Sequence, residues 1–295
     1  MTTYQNQDFD AERYNAARPT YPDSFYKCLL DYHKSKGNPT HLAMDVGCGP
    51  GFVAFKLLDY FDQVVGTDFS HTMIEQCNKD PRVEFSDKIR FYATPAEQAP
   101  EEIQPGSVDM ITAAEACHWF DHPRFFKESA RILKSGGTLA YWFYFDPVFV
   151  GNQKATDLVV EWSYDSSVKK YGDSYERFFG PYFDQPGHDI FRTTLSHISP
   201  PESDFTDIIR HYYHPHEHPD GEQYTSLYIP RRVSLNTFRA QAKSWSGYHN
   251  WKREHPDKLD AADELIDKLA ETLNVDLDTE LDVIFPTVYT FARRK

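Results

Sequence analysis

The chain has 295 residues, of which 40% are apolar and 16% aromatic. That length suits one large domain or a domain with a sizeable insertion, and the apolar share excludes a wholly disordered chain. The formal net charge of −14 repels phosphate backbones and anionic lipid, which sets nucleic acid and membrane surfaces aside as partners.

In chain order, residues 41–145 alternate short apolar runs with amphipathic stretches, as βα units do. Strands are predicted at 41–46, 63–68, 89–93, 108–113 and 139–145. A helix from Phe52 to about Tyr60 follows the first strand. Ser70 serves as N-cap for a helix that carries Met73, Ile74 and Cys77 three and four apart. A further helix spans 121–133, with Gly136 and Gly137 as its stop. Beyond Pro147 the pattern loosens, with breaks at Gly172, Gly180 and Gly187. Residues 188–198, 233–251 and 257–273 read as helices and 205–213 as a strand. A last strand over 281–292 is interrupted by Pro286, which marks a bulge or an edge.

The resulting layout is an N-terminal lid at 1–37 and a doubly wound core at 38–146. A cap insertion at 147–187, a core continuation at 188–214, cap helices at 215–275 and a last core strand at 276–295 complete it. Cys28, Cys48, Cys77 and Cys117 are widely spaced, with no CxxC pair, so a disulfide scaffold and a zinc knuckle are not indicated. The polar residues 1–10 are unlike a signal peptide, and the most apolar window, 138–145, is too short to span a bilayer. A cytoplasmic location is expected.

The chemistry concentrates in the run D-V-G-C-G-P-G from Asp45 to Gly51. Glycines at a strand-to-helix turn let backbone approach a ligand, and the following helix directs its free N–H groups and positive dipole end there. No Lys-Ser/Thr follows, so the run is not a P-loop. Asp45 can hold an ammonium group, and Asp68, at the end of the second strand, can accept both hydroxyls of a ribose.

This signature resembles that of the class I S-adenosylmethionine-dependent methyltransferases. The resemblance implies an α/β, Rossmann-like seven-stranded sheet with helices on both faces, a helical cap, and S-adenosyl-L-methionine as cofactor. By the same resemblance, Gly47, Cys48, Gly49 and Gly51 would line the methionine part, Asp68 the ribose, and Phe69 or Met73 the adenine face. Pro95 stands where many relatives carry an acid for the adenine amino group, so that contact falls to Ala96 or Glu97, unless Glu97 only caps the next helix. Ala114 closes the cofactor site. The R-Y-x-x-x-R-P-x-Y-P lead-in resembles small-molecule methyltransferases, where Tyr14 and Arg18 contact cofactor or substrate; plain surface docking is the alternative.

Further segments resemble the fungal trans-aconitate methyltransferases and the related cantharidin-resistance methyltransferase. They include 114–121, 144–149, 180–187 and 243–252. His118 and Trp119, after the fourth strand, are expected beside the acceptor, with His118 as candidate base, although Trp119 is equally at home in a core. An anionic polycarboxylate such as trans-aconitate would need cationic partners, for which Arg231, Arg232 and Lys243 are candidates, with Tyr248 and His249. The alternating His214, His216 and His218 form a possible metal cluster, but a solvated loop is the simpler reading and no metal is expected. Alternatives are another small acceptor (phenol, amine or drug-like molecule), a macromolecular acceptor, or a cofactor-binding protein without catalysis.

Overall fold

The computed structural model describes residues 18–84, 86–164, 179–216 and 227–295. Its strands are β1 (Leu42–Val46), β2 (Gln63–Asp68), β3 (Ile89–Ala93), β4 (Val108–Ala114), β5 (Leu133–Tyr144), β6 (Val148–Phe149), β7 (Phe205–Tyr213), β8 (Ile229–Val233), β9 (Leu281–Phe285) and β10 (Thr287–Arg294). Seven of them form one sheet in the order β3-β2-β1-β4-β5-β10-β7. From β3 to β5 neighbours run parallel, whereas β10 is antiparallel to both β5 and β7. The fold is therefore α/β and Rossmann-like. Both β2 and β4 flank β1, so the chain crosses in opposite directions after β1 and after β3, which opens a crevice at the carboxyl ends of β1 and β4. β4 up to Ala113 and β5 from Thr138 to Tyr144 are buried, as strands covered on both faces must be.

A second, three-stranded sheet has the order β6-β9-β8. Pro286 separates β9 from β10, and the two strands lie in different sheets. The single strand expected over 281–292 is thus two, because a residue without an N–H is a natural point to leave one ladder and join another.

Other boundaries move for equally local reasons. The helix after β1 ends at Leu57 rather than near residue 60. The expected helix stop at Gly136 and Gly137 lies inside β5. The helix ends at Ile132, and the β4–β5 register shifts between Val108 and Met110, so these glycines sit in a bulge where Gly136 has φ 82°. The helix expected over 233–251 is two, Leu235–Ala242 and Ser246–Glu254, and Val233 closes β8 instead. Ser234 caps the first of these by accepting the Thr237 N–H at 3.1 Å. Residues 188–198 form only the short helix Gly187–Arg192, followed by turns at Thr194 and Leu195 with positive φ. The helix Ala261–Leu273 starts at Asp260, whose carboxylate accepts the N–H groups of Ala262 and Asp263. Among the described residues no helix is long and apolar enough to cross a membrane.

Candidate functional site

Asp45, near the end of β1, is 1% exposed. Thr112 Oγ1 on β4 donates to its Oδ1 at 2.7 Å, yet burial pushes the carboxyl up to about 7. The chain then turns through Gly47, Gly49 and Gly51, all with positive φ. A Cβ on Gly47 would stand 2.4 Å from the Ala116 Cβ, so the turn packs directly on the loop after β4. At Gly49 an added Cβ would meet nothing within 4 Å, and that open side is where a ligand can approach the backbone.

Asp68, the last residue of β2, ties the turn down. Its Oδ2 accepts the Gly49 N–H and its Oδ1 the Ser70 N–H, each at 2.8 Å. Burial pushes its carboxyl upward against those two bonds. Each oxygen keeps a further acceptor site. Phe69 is 58% exposed on the lip of the same cavity, beside the buried Met73. Across from it stand Pro95, Ala96 and Glu97. Glu97 Oε1 accepts the Asp121 N–H at 2.8 Å and so also fixes the start of the helix His122–Ile132.

The cavity, about 440 Å³, continues from this turn to Phe183, Phe191, Gln241 and Trp245. Of the residues singled out from sequence it is lined by Asp45, Gly47, Cys48, Gly49 and Asp68 at the turn. Phe69, Met73, Ala96, Glu97 and Ala114 continue the same wall. Arg18, His118 and Trp119 complete the set. Gly51 shapes the turn without reaching the cavity, and Tyr14 lies outside the described residues.

The His118 ring is packed among Trp119, Phe143 and Phe191, with centroids at 4.5, 5.2 and 5.8 Å. Its Nδ1 is buried without a hydrogen-bond partner among the described residues. Burial, with the neighbouring Arg18, His188 and His122 adding to it, lowers its pKa to about 3. The imidazole is therefore neutral and a poor proton acceptor.

The expected cationic residues stand away from the cavity. Lys243 ends the helix Leu235–Ala242 and turns to the neighbouring helix, where it pairs with Asp260 at 3.2 Å and Asp263 at 2.9 Å. Tyr248 donates to Asp260 at 2.8 Å. Arg232 forms an exposed pair with Asp282 across β8 and β9, and Arg231 lies one residue earlier on that strand. None of these four residues, nor His249, lines the cavity. The break between the two helices is the reason: it points Lys243 away while Trp245 and Ser246 face the cavity. His214 and His216 are neighbours with centroids at 6.0 Å, and His218 lies outside the described residues. Among the described residues no group of three His, Cys, Asp or Glu side chains could hold a metal ion.

Among the wall residues that sequence reasoning did not single out are Glu115, Tyr144, Asp146 and His188. His188 stacks on Phe183, with centroids 4.3 Å apart and planes within 2°. Its pKa falls to about 4 through burial. The signal available was position: Glu115 directly follows β4, and Tyr144 and Asp146 end β5 and follow it, where ligand-facing residues collect in this sheet type.

A glycine turn at the switch point, a β2 carboxylate and an exposed aromatic ring beside it define a cavity for a nucleoside carrying an amino-acid tail. Residues 44–141 match the family described as "Methyltransferase domain". The chain is 35% identical over 302 residues to "Probable S-adenosylmethionine-dependent methyltransferase CRG1" of Saccharomyces cerevisiae, covering 100% of this chain and 99% of that one. It is 30% identical over 226 residues to "Methyltransferase pgmE" of Aspergillus terreus, covering 73% and 65%. The structure of a "Putative Type II Methyltransferase" from Anaeromyxobacter dehalogenans superposes with a TM-score of 0.66 at 20% identity, over 94% of this chain and 97% of that one, and supports the fold. The chain belongs to the S-adenosylmethionine-dependent methyltransferases. Its cofactor is S-adenosyl-L-methionine, and the open backbone at Gly49 and the paired oxygens of Asp68 fit that molecule.

Proposed function

We propose that this enzyme methylates a carboxylate oxygen of a small molecule with an apolar or aromatic body and one acidic group. The supporting observation is the make-up of the wall on the acceptor side. Phe145, Phe183, Phe191 and Trp245 belong to it, and among the described residues Arg18 is the single Lys or Arg side chain that lines it. A tricarboxylate such as trans-aconitate would set three negative charges against one guanidinium and the Asp146 carboxyl among the described residues, which makes that acceptor the weaker candidate.

The cofactor, when bound, supplies an electrophilic methyl group. The rest is the work of the chain. The glycine turn and Asp68 would hold the nucleoside, and the core at 38–146 with β7 and β10 would keep it fixed. The cap segments at 147–187 and 215–275 would exclude water and orient the acceptor. A carboxylate is ionised near neutral pH, so no base is required, which agrees with the depressed His118. A phenol would need one. The reading is tested by incubating the enzyme with methyl-labelled cofactor and paired acceptors: aromatic and aliphatic monoacids, their phenol or amine counterparts, and trans-aconitate. Turnover confined to phenols or amines would sink it, as would a preference for the polyacid.

A further inference from the structure

Glu115 follows β4 directly, and its backbone is left-handed, with φ 54°. Such a conformation is strained for a residue with a Cβ and persists where the surroundings enforce it, often at functional sites. Here its N–H donates to Trp142 O at 3.0 Å, and its Oε1 accepts the Tyr144 N–H. The turn thereby sets a carboxyl group into the cavity wall between two alanines, Ala114 and Ala116. Among the described residues the Tyr144 N–H is the one hydrogen-bond donor to this carboxyl, and it meets Oε1, so Oε2 is the oxygen left to a ligand.

We propose that Glu115 is a specificity residue: Oε2 donates a hydrogen bond to a carboxylate oxygen of the acceptor and so selects an oxygen anion over an ammonium group. The inference rests on the acceptor reading above and deepens it. Burial pushes the Glu115 carboxyl up to about 8, opposed by the Tyr144 N–H and by Arg18 and reinforced by Asp146. Arg18 precedes the first helix and Asp146 follows β5; these are the charged groups that act on it, and the Tyr144 and Tyr21 phenols and the neutral His118 share its wall. Near neutral pH the group is thus a carboxylic acid with a proton to offer. One acceptor oxygen is held and the other is left free to react, while the proton stays on Glu115.

The test is calorimetry on the S-adenosylhomocysteine-loaded protein with three probes of equal size: benzoate, benzamide and benzylamine. Benzoate should bind best, and its affinity should fall about tenfold between about pH 6.5 and about pH 9 as the acid ionises. Glu115→Gln, whose amide donates at every pH, should hold benzoate without that loss, and Glu115→Ala should weaken it about tenfold at neutral pH. S-adenosylhomocysteine affinity reports whether each variant is folded. Independently of any variant, carbon-13 resonances of labelled wild-type glutamate should show one carboxyl titrating near pH 8. A preference for benzylamine, a benzoate pH profile unchanged by Glu115→Gln, or no carboxyl titrating above about pH 5 would overturn the proposal. Failure of all three probes to bind sinks the acceptor reading and this inference with it, whereas pH-independent benzoate binding sinks the inference alone.

Discussion

Gly187 lies against the indole of Trp119: a Cβ on Gly187 would stand 2.5 Å from Cζ3 and 2.6 Å from Cε3 of that ring. The contact joins the helix Gly187–Arg192 to the loop after β4, and Trp119 and His188 on its two sides both line the cavity. Gly187→Ala must move the ring or the helix, and overpacking of this kind costs about 1–3 kcal/mol. The expected outcome is a severalfold rise in the Michaelis constant for the acceptor with cofactor affinity nearly unchanged. Steady-state kinetics beside S-adenosylhomocysteine calorimetry checks it; an equal loss in both would assign Trp119 to the cofactor half of the cavity.

Asp68 makes two claims on one carboxylate, because it holds the Gly49 and Ser70 N–H groups and is proposed to hold the ribose. Asp68→Ala should therefore act twice. Cofactor affinity should fall by about 1.5–3 kcal/mol, the size of a lost hydrogen bond to a charged group. The unliganded protein should also melt earlier, since two backbone donors lose their acceptor. Thermal melts with and without S-adenosylhomocysteine separate these effects. An unchanged ligand-induced shift would show that the ribose binds elsewhere.

The Asp45 carboxyl, pushed up to about 7 by burial, is proposed to face the ammonium of the cofactor's amino-acid tail. A cation favours the ionised acid, so binding at low pH must expel a proton. Affinity for S-adenosylhomocysteine should accordingly rise between about pH 5.5 and about pH 8, and Asp45→Asn should flatten that profile. Calorimetry in two buffers of different ionisation enthalpy measures the released proton directly. No proton release near pH 6 would remove Asp45 from contact with the ammonium.

The glycine-turn side of the cavity was legible in the sequence because it is local. Asp45, Gly47, Gly49 and Asp68 fall on two consecutive βα turns, and strand periodicity alone sets them side by side. The acceptor half depends on contacts far apart in sequence. Lys243 looked like a cavity cation until the break after Ala242 turned it to Asp260 and Asp263. Charge in a sequence does not say which side of a helix pair it will occupy. Glu115 was hidden for a different reason: no residue pattern announces that a glutamate will adopt φ 54°. Gly136 and Gly137 misled because a glycine pair serves a β-bulge as well as a helix stop.

His118 carries the last prediction, which separates positioning from base catalysis. Packed against Trp119, Phe143 and Phe191 and lowered to about 3, the imidazole stays neutral across the working range. The turnover profile with pH should then show no limb near about 6.5, the value of an ordinary histidine. Removing a general base costs about 10²–10⁴-fold in rate, whereas loss of one orienting contact in a wall already fixed by three rings should cost less. His118→Asn, which keeps a polar atom close to the position of Nδ1, should lower turnover by under about tenfold, and His118→Phe by more, because it removes the buried polar atom. Both should leave S-adenosylhomocysteine affinity within about twofold, since the ring is placed on the acceptor side. Turnover is measured from about pH 5.5 to about pH 9 for wild type and both variants. A loss approaching 10³-fold in His118→Asn, together with an acid limb near about 6.5 that the variant abolishes, would make His118 a base and move the acceptor from a carboxylic acid to a phenol or amine.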